Sequence, residues 1–301
     1  MTRDYSAYKN YKVEVDEDGV ATVTINRPEV LNAQNMESRI ELHRIWPDLG
    51  QDEDVKVIIL TGAGRGFCAG GDIKEVASRH AKGLGTGPGV RHPTGDPQVT
   101  ETEVSQPGSE IELHRIWSDR GGAQGVGLHY TELMLNLNKP IIGAINGVAT
   151  GQGCVMALYC DIVIAADTAS FGDHHVRVGL AAGDGLAVIW PLLVGPHKAM
   201  EYLMTGDLMD AQEAHRLGLV NKVVPLAELM PTAKALAKRL AHGPTIAINF
   251  VKSAVNKKVL RDYNLTWMFA LHGEIRTMFT EDHLEGASAF AEKREPQFKG
   301  R

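Results

Sequence analysis

Alternating apolar and polar residues mark the beginning of the chain as a β-hairpin. Tyr11–Val15 alternates, Asp16–Gly19 supplies turn residues, and residues 20–26 alternate again. Residues 35–46 instead carry apolar side chains three and four positions apart, which predicts a helix.

Short, uninterrupted apolar runs follow, and each predicts a buried strand. They occupy residues 55–61, 141–145 and 162–165, and the first two lead into glycine-dense loops. Helical patterns lie between and after them, at residues 153–160 and 188–204. Strands and helices in alternation predict an α/β fold.

The last quarter of the chain has a different pattern, with helical spacing almost throughout. Residues 231–241, 245–255 and 263–279 each carry apolar side chains three and four apart. We therefore predict an α/β core over residues 1–225 and a helical, oligomerising region over residues 226–301.

Residues 80–110 interrupt the core pattern, because glycine and proline are mixed there with serine, threonine and charged residues. This composition predicts a long inserted loop. Directly after it, Ile111–Trp117 repeats the seven letters of Ile40–Trp46 (IELHRIW). One short duplication is not a repeat architecture, and we read both copies as helical.

Composition narrows the functional classes. The net charge of −6 disfavours nucleic acid as the main partner, and the three cysteines form no Cys-x-x-Cys pair that would indicate zinc. No apolar run reaches the ~18 residues that span a bilayer, and the polar N-terminus has no signal-peptide core. We expect a cytoplasmic protein with no metal site and no membrane partner.

Two glycine-rich loops are the strongest candidates for chemistry. They read FCAGGDIK from Phe67 and GVATGQGC from Gly147, and each lies between a predicted strand and helix. A glycine-rich turn before a helix lets backbone N–H groups point at an anion. Two such loops together favour a pair of N–H donors for a thioester carbonyl that becomes an enolate.

Other readings of these loops fail on spacing. The chain lacks G-x-x-x-x-G-K-[ST], the third glycine of G-x-G-x-x-G, and the G-x-S-x-G nucleophile elbow. Nucleotide-binding and α/β-hydrolase sites are therefore disfavoured.

Four longer segments of the chain indicate a protein family. The segments GFCAGGDIKE, NKPIIGAINGVATGQGC, CDIVIAADTASFG and YLMTGDLMDAQEAHRLGLVNKVVP follow one another in order. The whole chain from about residue 10, apart from the insert, resembles the crotonase (enoyl-CoA hydratase/isomerase) superfamily.

That resemblance implies a fold of repeated ββα units with a C-terminal helical trimerisation region, in trimers that often pair into hexamers. It implies an acyl-CoA thioester as substrate, with coenzyme A as part of the substrate and no separate cofactor. It also implies an oxyanion hole made by the backbone N–H groups of Gly71 and Gln152. The residues that it assigns to CoA binding are Ala33, Asp72, Ile73, Lys74, Phe290 and Lys293.

The sequence departs from the resemblance at two positions. Hydratases of this family use two glutamates, in Gly-Cys-Glu and Phe-Gly-x-x-Glu contexts. Here those positions hold Val155 and His175. Because valine cannot transfer a proton, the two-glutamate mechanism is not expected to operate unchanged.

Asp184 and His175 remain as candidates for proton transfer. Asp184 precedes a predicted helix, so it is either an acid/base or the cap of that helix. His175 ionises near neutral pH and is either an acid/base or a histidine satisfied in the core or at a subunit contact. On a strand, Asp173 and His175 would share one face.

These residues leave the reaction open. Hydration of an enoyl-CoA is the first expectation, because it is the commonest chemistry of the family. Double-bond isomerisation, decarboxylation and thioester hydrolysis are alternatives, and a CoA-binding protein without catalysis is an alternative of another class.

Overall fold

The computed structural model describes residues 3–72 and 130–301. Ile73, Lys74, the 80–110 insert and the second IELHRIW segment lie outside the described residues. The first copy, Ile40–Trp46, lies within the first long helix, as predicted.

The described part of the chain contains β-strands along its α/β portion. They are β1 (Tyr11–Val15), β2 (Val20–Ile25), β3 (Val57–Gly62), β4 (Ile141–Ile145), β5 (Val148–Thr150), β6 (Ile162–Ala166), β7 (Ser170–Gly172), β8 (Met209–Asp210) and β9 (Lys222–Val224).

The α-helices of the same residues lie between these strands and after them. They are α1 (Met36–Gln51), α2 (Tyr130–Asn136), α3 (Gln152–Leu158), α4 (Leu186–Val194), α5 (Pro196–Thr205), α6 (Ala211–Arg216), α7 (Leu226–Ala241), α8 (Thr245–Thr277) and α9 (Glu281–Glu292). Single 3-10 turns occupy Pro28–Val30 and Val176–Val178.

Within the described residues, six strands form one sheet in the order β1-β2-β3-β4-β6-β9, and three form another in the order β5-β7-β8. The predicted hairpin pairs β1 with β2 antiparallel, and the remaining pairs of the large sheet are parallel. Every residue of β4 is buried and five of the six of β3, which explains their uninterrupted apolar sequences.

The two sheets are connected by repeated strand–strand–helix units. Strand β4 lies in the large sheet, β5 in the small one, and α3 follows; β6, β7 and α4 repeat this order. The predicted repeated ββα core is therefore confirmed. The unit matters for function because α3 begins directly after β5 leaves the small sheet, whereas a 3-10 turn and a loop lie between β7 and α4.

Two helix predictions needed correction. Residues 188–204 form two helices rather than one, because Gly195 takes a left-handed φ of 79° and Pro196 begins a new helix. Conversely, the two helices predicted within residues 245–279 are one helix of 33 residues, α8. The segment between them, residues 256–262, contains no glycine or proline that would end a helix.

The C-terminal helices pack onto the α/β portion. Helix α7 buries Leu229, Ala233 and Ala237 against the large sheet. Lys252 of α8 forms an ion pair of 2.8 Å with Asp161 and donates to the Lys139 carbonyl. The division of the chain at residue 225 stays a prediction.

Candidate active site

The first glycine-rich loop is held by the segment that precedes α1. Gln34 N–H donates to the Gly70 carbonyl over 2.7 Å, and Ala69 N–H donates to Leu31 O over 3.0 Å. Gly70 has a φ of 96°, a left-handed conformation that favours glycine. The loop therefore turns sharply and directs the chain past Gly71.

The second glycine-rich loop lies directly against the first. Thr150 N–H donates to Cys68 O over 3.1 Å, and Cys68 N–H donates to Val148 O over 3.0 Å. At Gly153, an added Cβ would come 2.1 Å from the Cys68 carbonyl oxygen, closer than any side chain can approach. Only glycine there allows the start of α3 to reach the first loop.

Gly71 and Gln152 present backbone N–H groups in this region. Within residues 3–72 and 130–301 neither N–H donates to an acceptor. Gln152 is the first residue of α3, where helical N–H groups have no partner inside the helix and the helix dipole is positive. The two loops approach closely, since a Cβ on Gly151 would lie 3.9 Å from the Cα of Gly70.

His175 reaches the same place from the end of the small sheet. A Cβ on Gly151 would lie 3.7 Å from His175 Cε1, which puts the imidazole beside the second loop. The prediction that Asp173 and His175 share a strand face was wrong, because β7 ends at Gly172 and His175 starts a 3-10 turn. The turn nevertheless brings the two side chains together, with His175 Nδ1 2.5 Å from Asp173 Oδ1.

Asp184 does not cap the helix that it precedes. Gly185 is the N-cap of α4, with a φ of 119°, and no side chain caps that end. Asp184 Oδ1 is buried and accepts no hydrogen bond in the described part of the chain. Of the two alternatives that the sequence left open, capping is therefore excluded.

The ionisable groups here influence one another. Burial alone would lower the pKa of His175, but the carboxylates of Asp173, Asp184 and Glu274 outweigh it and raise that pKa well above its ordinary value. Burial raises the pKa of Asp184 to about 7, against the opposing effect of His175. The site thus holds an imidazolium beside a carboxyl that ionises near neutrality.

Glu274 also belongs to this cluster, although it was not among the site residues predicted from the sequence. It lies on α8, and a Cβ on Gly183 would come 2.3 Å from its Oε2. The signal was its spacing: Tyr263, Trp267, Ala270 and Glu274 recur every three or four residues on one helix face. An acidic residue in an otherwise apolar stripe is unusual and indicates a buried charge.

Several buried polar atoms of this region accept or donate no hydrogen bond in the described residues. Gln152 Oε1, Asp173 Oδ2 and Asp184 Oδ1 are among them, together with His174 Nε2. Because buried polar groups are ordinarily satisfied, several such atoms in one region are typical of a site that binds a polar ligand or water.

The residues predicted to hold CoA fall into two groups. Ala33 and Asp72 lie beside the first loop, where Arg27 donates to the Ala33 carbonyl and forms an ion pair of 3.2 Å with Asp72. Phe290 lies on α9 with 55% of its surface exposed, and Lys293 follows that helix in a left-handed conformation. Helix α9 packs on the turn that begins at His175, through a 2.8 Å contact between His283 Nδ1 and Val178 O.

The expectations of no metal site and no membrane span can be compared with the structure only for the described residues. They contain no group of three or more His, Cys, Asp or Glu side chains arranged to hold a metal ion. None of their helices is both long enough and apolar enough to cross a membrane.

The comparisons with known proteins agree with this architecture. The family model described as Enoyl-CoA hydratase/isomerase matches residues 16–88 and 117–301. A probable enoyl-CoA hydratase of Mycobacterium leprae is 34% identical over 286 residues, covering 94% of this chain and 95% of the relative. The 1,2-epoxyphenylacetyl-CoA isomerase of Escherichia coli is 33% identical over 287 residues, covering 95% and 97%.

A solved structure shows the same fold. The crystal structure of an enoyl-CoA hydratase from Mycobacterium avium subsp. paratuberculosis superposes with a TM-score of 0.75, at 26% identity, covering 97% of this chain and 99% of that one. The ββα units and facing glycine-rich loops are thus those of a crotonase fold. The chain belongs to the enoyl-CoA hydratase/isomerase family and is an acyl-CoA enzyme of that type.

Proposed function

We propose that the protein adds water to the double bond of an enoyl-CoA thioester, and catalyses the reverse dehydration, through a thioester enolate. The observation that supports this most directly is a juxtaposition. The N–H groups of Gly71 and Gln152, which have no acceptor in the described residues, lie on adjoining loops beside the Asp184–His175–Asp173 cluster.

The N–H pair suits the charge that the reaction creates. When water attacks the β-carbon of an enoyl thioester, negative charge moves to the thioester oxygen. Two fixed N–H donors, one of them at a helix N-terminus, stabilise that oxygen more strongly in the transition state than in the ground state. The side chain of Gln152 is not required for this, since the donor is its backbone.

Proton transfer in this proposal depends on Asp184. Val155 stands at a position where the family resemblance places a glutamate. It is fully buried in α3, and its side chain has no group that can donate or accept a proton. The pKa of Asp184, raised to about 7 by burial, matches an acid/base that works near neutral pH. One carboxylate takes a proton from water and, once protonated, returns it to the α-carbon.

His175 assists as a cation in this scheme. Asp173 keeps the imidazole of His175 positively charged. That charge lowers the pKa of Asp184, so that part of Asp184 is ionised near neutral pH, and it also offsets charge on the attacking water. His175 is therefore proposed as the electrostatic and secondary proton-transfer group.

Binding of the CoA moiety is proposed for Ala33, Asp72, Ile73 and Lys74 near the first loop. The carboxylate of Asp72 is paired with Arg27, so its backbone is the part proposed to contact CoA. Phe290 and Lys293 are proposed to reach the CoA bound by an adjacent subunit of a homotrimer or homohexamer. Large apolar side chains exposed on α8, such as Phe250 and Phe269, support such an assembly.

Double-bond isomerisation is the second candidate. A single carboxyl suffices to move a proton from one carbon of the acyl chain to another, and Asp184 is such a carboxyl. The similarity of the chain to the 1,2-epoxyphenylacetyl-CoA isomerase of Escherichia coli also supports this alternative.

Crotonyl-CoA distinguishes the candidates. Hydration removes the conjugated absorbance and yields 3-hydroxybutyryl-CoA, whereas a 3-enoyl-CoA substrate gains that absorbance if the enzyme is an isomerase. Release of free thiol reports hydrolysis. Asp184→Asn is expected to abolish turnover, with Asp207→Asn, an exposed carboxylate, as the matched control.

No turnover on either substrate at high enzyme concentration would refute both candidates. Calorimetric titration with a non-reactive acyl-CoA thioether then shows whether the protein binds CoA without catalysis. Full activity of Asp184→Asn would refute the assigned role of Asp184 alone.

A further inference from the structure

We propose that Glu274 is the second acid/base of this site, and that it shares one proton with Asp184. The inference rests on the proposed function and deepens it. It assigns to a residue of the long C-terminal helix the role of a second carboxyl, at a site where Val155 and His175 stand in place of the expected glutamates.

The loop before Asp184 is shaped around Glu274. A Cβ on Gly183 would come 2.3 Å from Glu274 Oε2 and 2.4 Å from Glu274 Cβ, so any side chain at position 183 would displace the carboxylate. The same Cβ would lie 2.9 Å from the Ala270 carbonyl oxygen. The absence of a side chain at Gly183 thus brings helix α8 and its carboxylate against the backbone next to Asp184.

Hydrogen bonds fix the register of this contact. Ala181 N–H donates to Thr277 Oγ1 over 3.0 Å, and that hydroxyl is bonded to the carbonyls of Gly273 and Glu274. On the other side of Asp184, Tyr159 donates to the Gly185 carbonyl over 3.1 Å. The loop is therefore held from both sides, and Glu274 cannot slide along it.

Charge around the two carboxyls favours a shared proton. His175 interacts with three carboxylates, Asp173, Asp184 and Glu274. Arg39 is a second cation that interacts with Glu274. Asp173 is already committed to His175, at 2.5 Å. Arg39 lies across the first loop, with Nη2 3.0 Å from a Cβ placed on Gly71. Tyr130, Tyr159 and Cys154 also interact with Asp184 here.

The remaining carboxyls, Asp184 and Glu274, are close enough to repel each other when both are ionised, and Glu274 raises the pKa of Asp184. Burial raises the pKa of both, and each feels the charge of His175. Neighbouring carboxyls in this situation titrate as a unit and hold a single proton over a range of pH.

A pair with one proton supplies both transfers that hydration requires. The ionised member takes a proton from water while the water oxygen forms a bond to the β-carbon. The electrons of the carbon–carbon double bond move to the thioester oxygen, and the protonated member donates its proton to the α-carbon as the enolate collapses. Atoms and charge balance, and the pair ends with its one proton on the opposite carboxyl.

Glu274→Gln tests this role, with Glu201→Gln on α5 as the control, since Glu201 is an exposed helical glutamate. We expect kcat of Glu274→Gln to fall about 100-fold with little change in KM. Its pH profile should lose the alkaline limb, because no proton remains to be shared. Glu274→Asp keeps a carboxyl and should retain both limbs at a lower kcat.

Infrared spectroscopy gives a readout that needs no turnover. At pH 7 the wild type and Glu201→Gln should show the carbonyl band of one neutral carboxyl, because exposed carboxyls are ionised there. The band should weaken in both Glu274→Gln and Asp184→Asn, since either change removes the like charge that adds to burial in keeping the other carboxyl protonated.

The outcomes separate the two proposals. A wild type without acyl-CoA turnover contradicts the proposed function, while the band still decides whether the two carboxyls share a proton. If Glu274→Gln keeps the band at its wild-type intensity, or keeps kcat within threefold and both limbs of the pH profile, the inference is overturned. A loss of kcat that follows a loss of folding in circular dichroism, with both limbs intact, also overturns it.

Discussion

His175 Nδ1 lies 2.5 Å from Asp173 Oδ1, and the Asp173 side chain is only 1% exposed. The turn after β7 makes this pair possible, since Asp173 Oδ1 also accepts the His175 backbone N–H over 3.1 Å. A buried carboxylate that holds an imidazole in this way fixes both its orientation and its charge.

Replacing Asp173 by asparagine should remove that effect. The pKa of His175 is raised in the folded state, so the stability from the pair is present below pH 6.5 and lost as pH rises through the raised value. We expect Asp173→Asn to cost about 3 kcal/mol of unfolding free energy just below pH 6.5, and less above it.

Urea unfolding at several pH values measures this cost. Asp207→Asn is the matched control, because it breaks an ion pair with Arg177 that is largely exposed and should cost under about 1 kcal/mol. Equal losses in the two variants at every pH would contradict the buried-pair interpretation.

Asp184 should also make the wild type lose stability as pH rises, but over a lower pH range, and its substitution should stabilise the protein where that of Asp173 destabilises it. Its pKa is about 7 when folded, against 3.8 ordinarily, so the folded state binds a proton that the unfolded state releases between these values. The wild type therefore loses stability as pH rises from 3.8 to 7 on account of this group. Asp184→Asn should melt at a higher temperature than the wild type above pH 7 and at a similar one below pH 3.8.

Thermal unfolding followed by circular dichroism across this range makes the test. Because Gly185 is the N-cap of α4, the helix itself should be unaffected by the substitution. A loss of stability at every pH would show that Asp184 has a structural role after all.

Gly153→Ala should separate the two glycine-rich loops. Its Cβ would lie 2.1 Å from the carbonyl oxygen of Cys68, a backbone atom that cannot move alone. We expect a loss of about 3 kcal/mol of stability together with a fall in kcat, since the N–H groups of both loops are displaced.

Gly66→Ala is the control for this prediction, because its Cβ would meet Leu31 and Val148 at 3.5 Å, an ordinary contact. Its stability should stay within about 0.5 kcal/mol of the wild type. If the two variants were equally active and stable, close approach of the loops would not be needed.

Lys293→Ala tests the proposed CoA contact. Lys293 ends α9 near the exposed Phe290, and an ammonium there would attract the phosphates of CoA. We expect KM for an acyl-CoA to rise about tenfold, equivalent to about 1.4 kcal/mol, with kcat unchanged. An acyl-pantetheine substrate, which lacks the nucleotide phosphates, should show no such change.

Most elements of the fold could be predicted from the sequence. The hairpin, the buried strands and the two loops were predictable because each is encoded by local alternation, apolar runs or glycine spacing. The Gly195-Pro196 pair could have indicated the break between α4 and α5, but the apolar periodicity on both sides of it predicted one continuous helix. The continuity of α8 was obscured by the polar residues between its apolar stretches, of which Lys257, Lys258 and Arg261 are exposed and Asn256 is buried.

The candidate site was harder to predict, because its geometry depends on distant contacts. Asp184 and His175 are recognisable as candidates, but the sequence alone could not distinguish a cap from a free carboxyl. Glu274 lies 90 positions beyond Asp184, and only the packing of α8 on Gly183 joins them. No local pattern encodes that contact.

Helix α8 is a rod about 50 Å long, anchored to the large sheet through Lys252 and ending beside Asp184 through Glu274. In the proposed mechanism the C-terminal region is therefore part of the acid–base chemistry and not an appendage to it. A chain cut before Thr245 would keep both glycine-rich loops yet lose the second carboxyl. Such a protein is expected to hold a thioester carbonyl with Asp184 as its one remaining carboxyl acid/base, and to react more slowly.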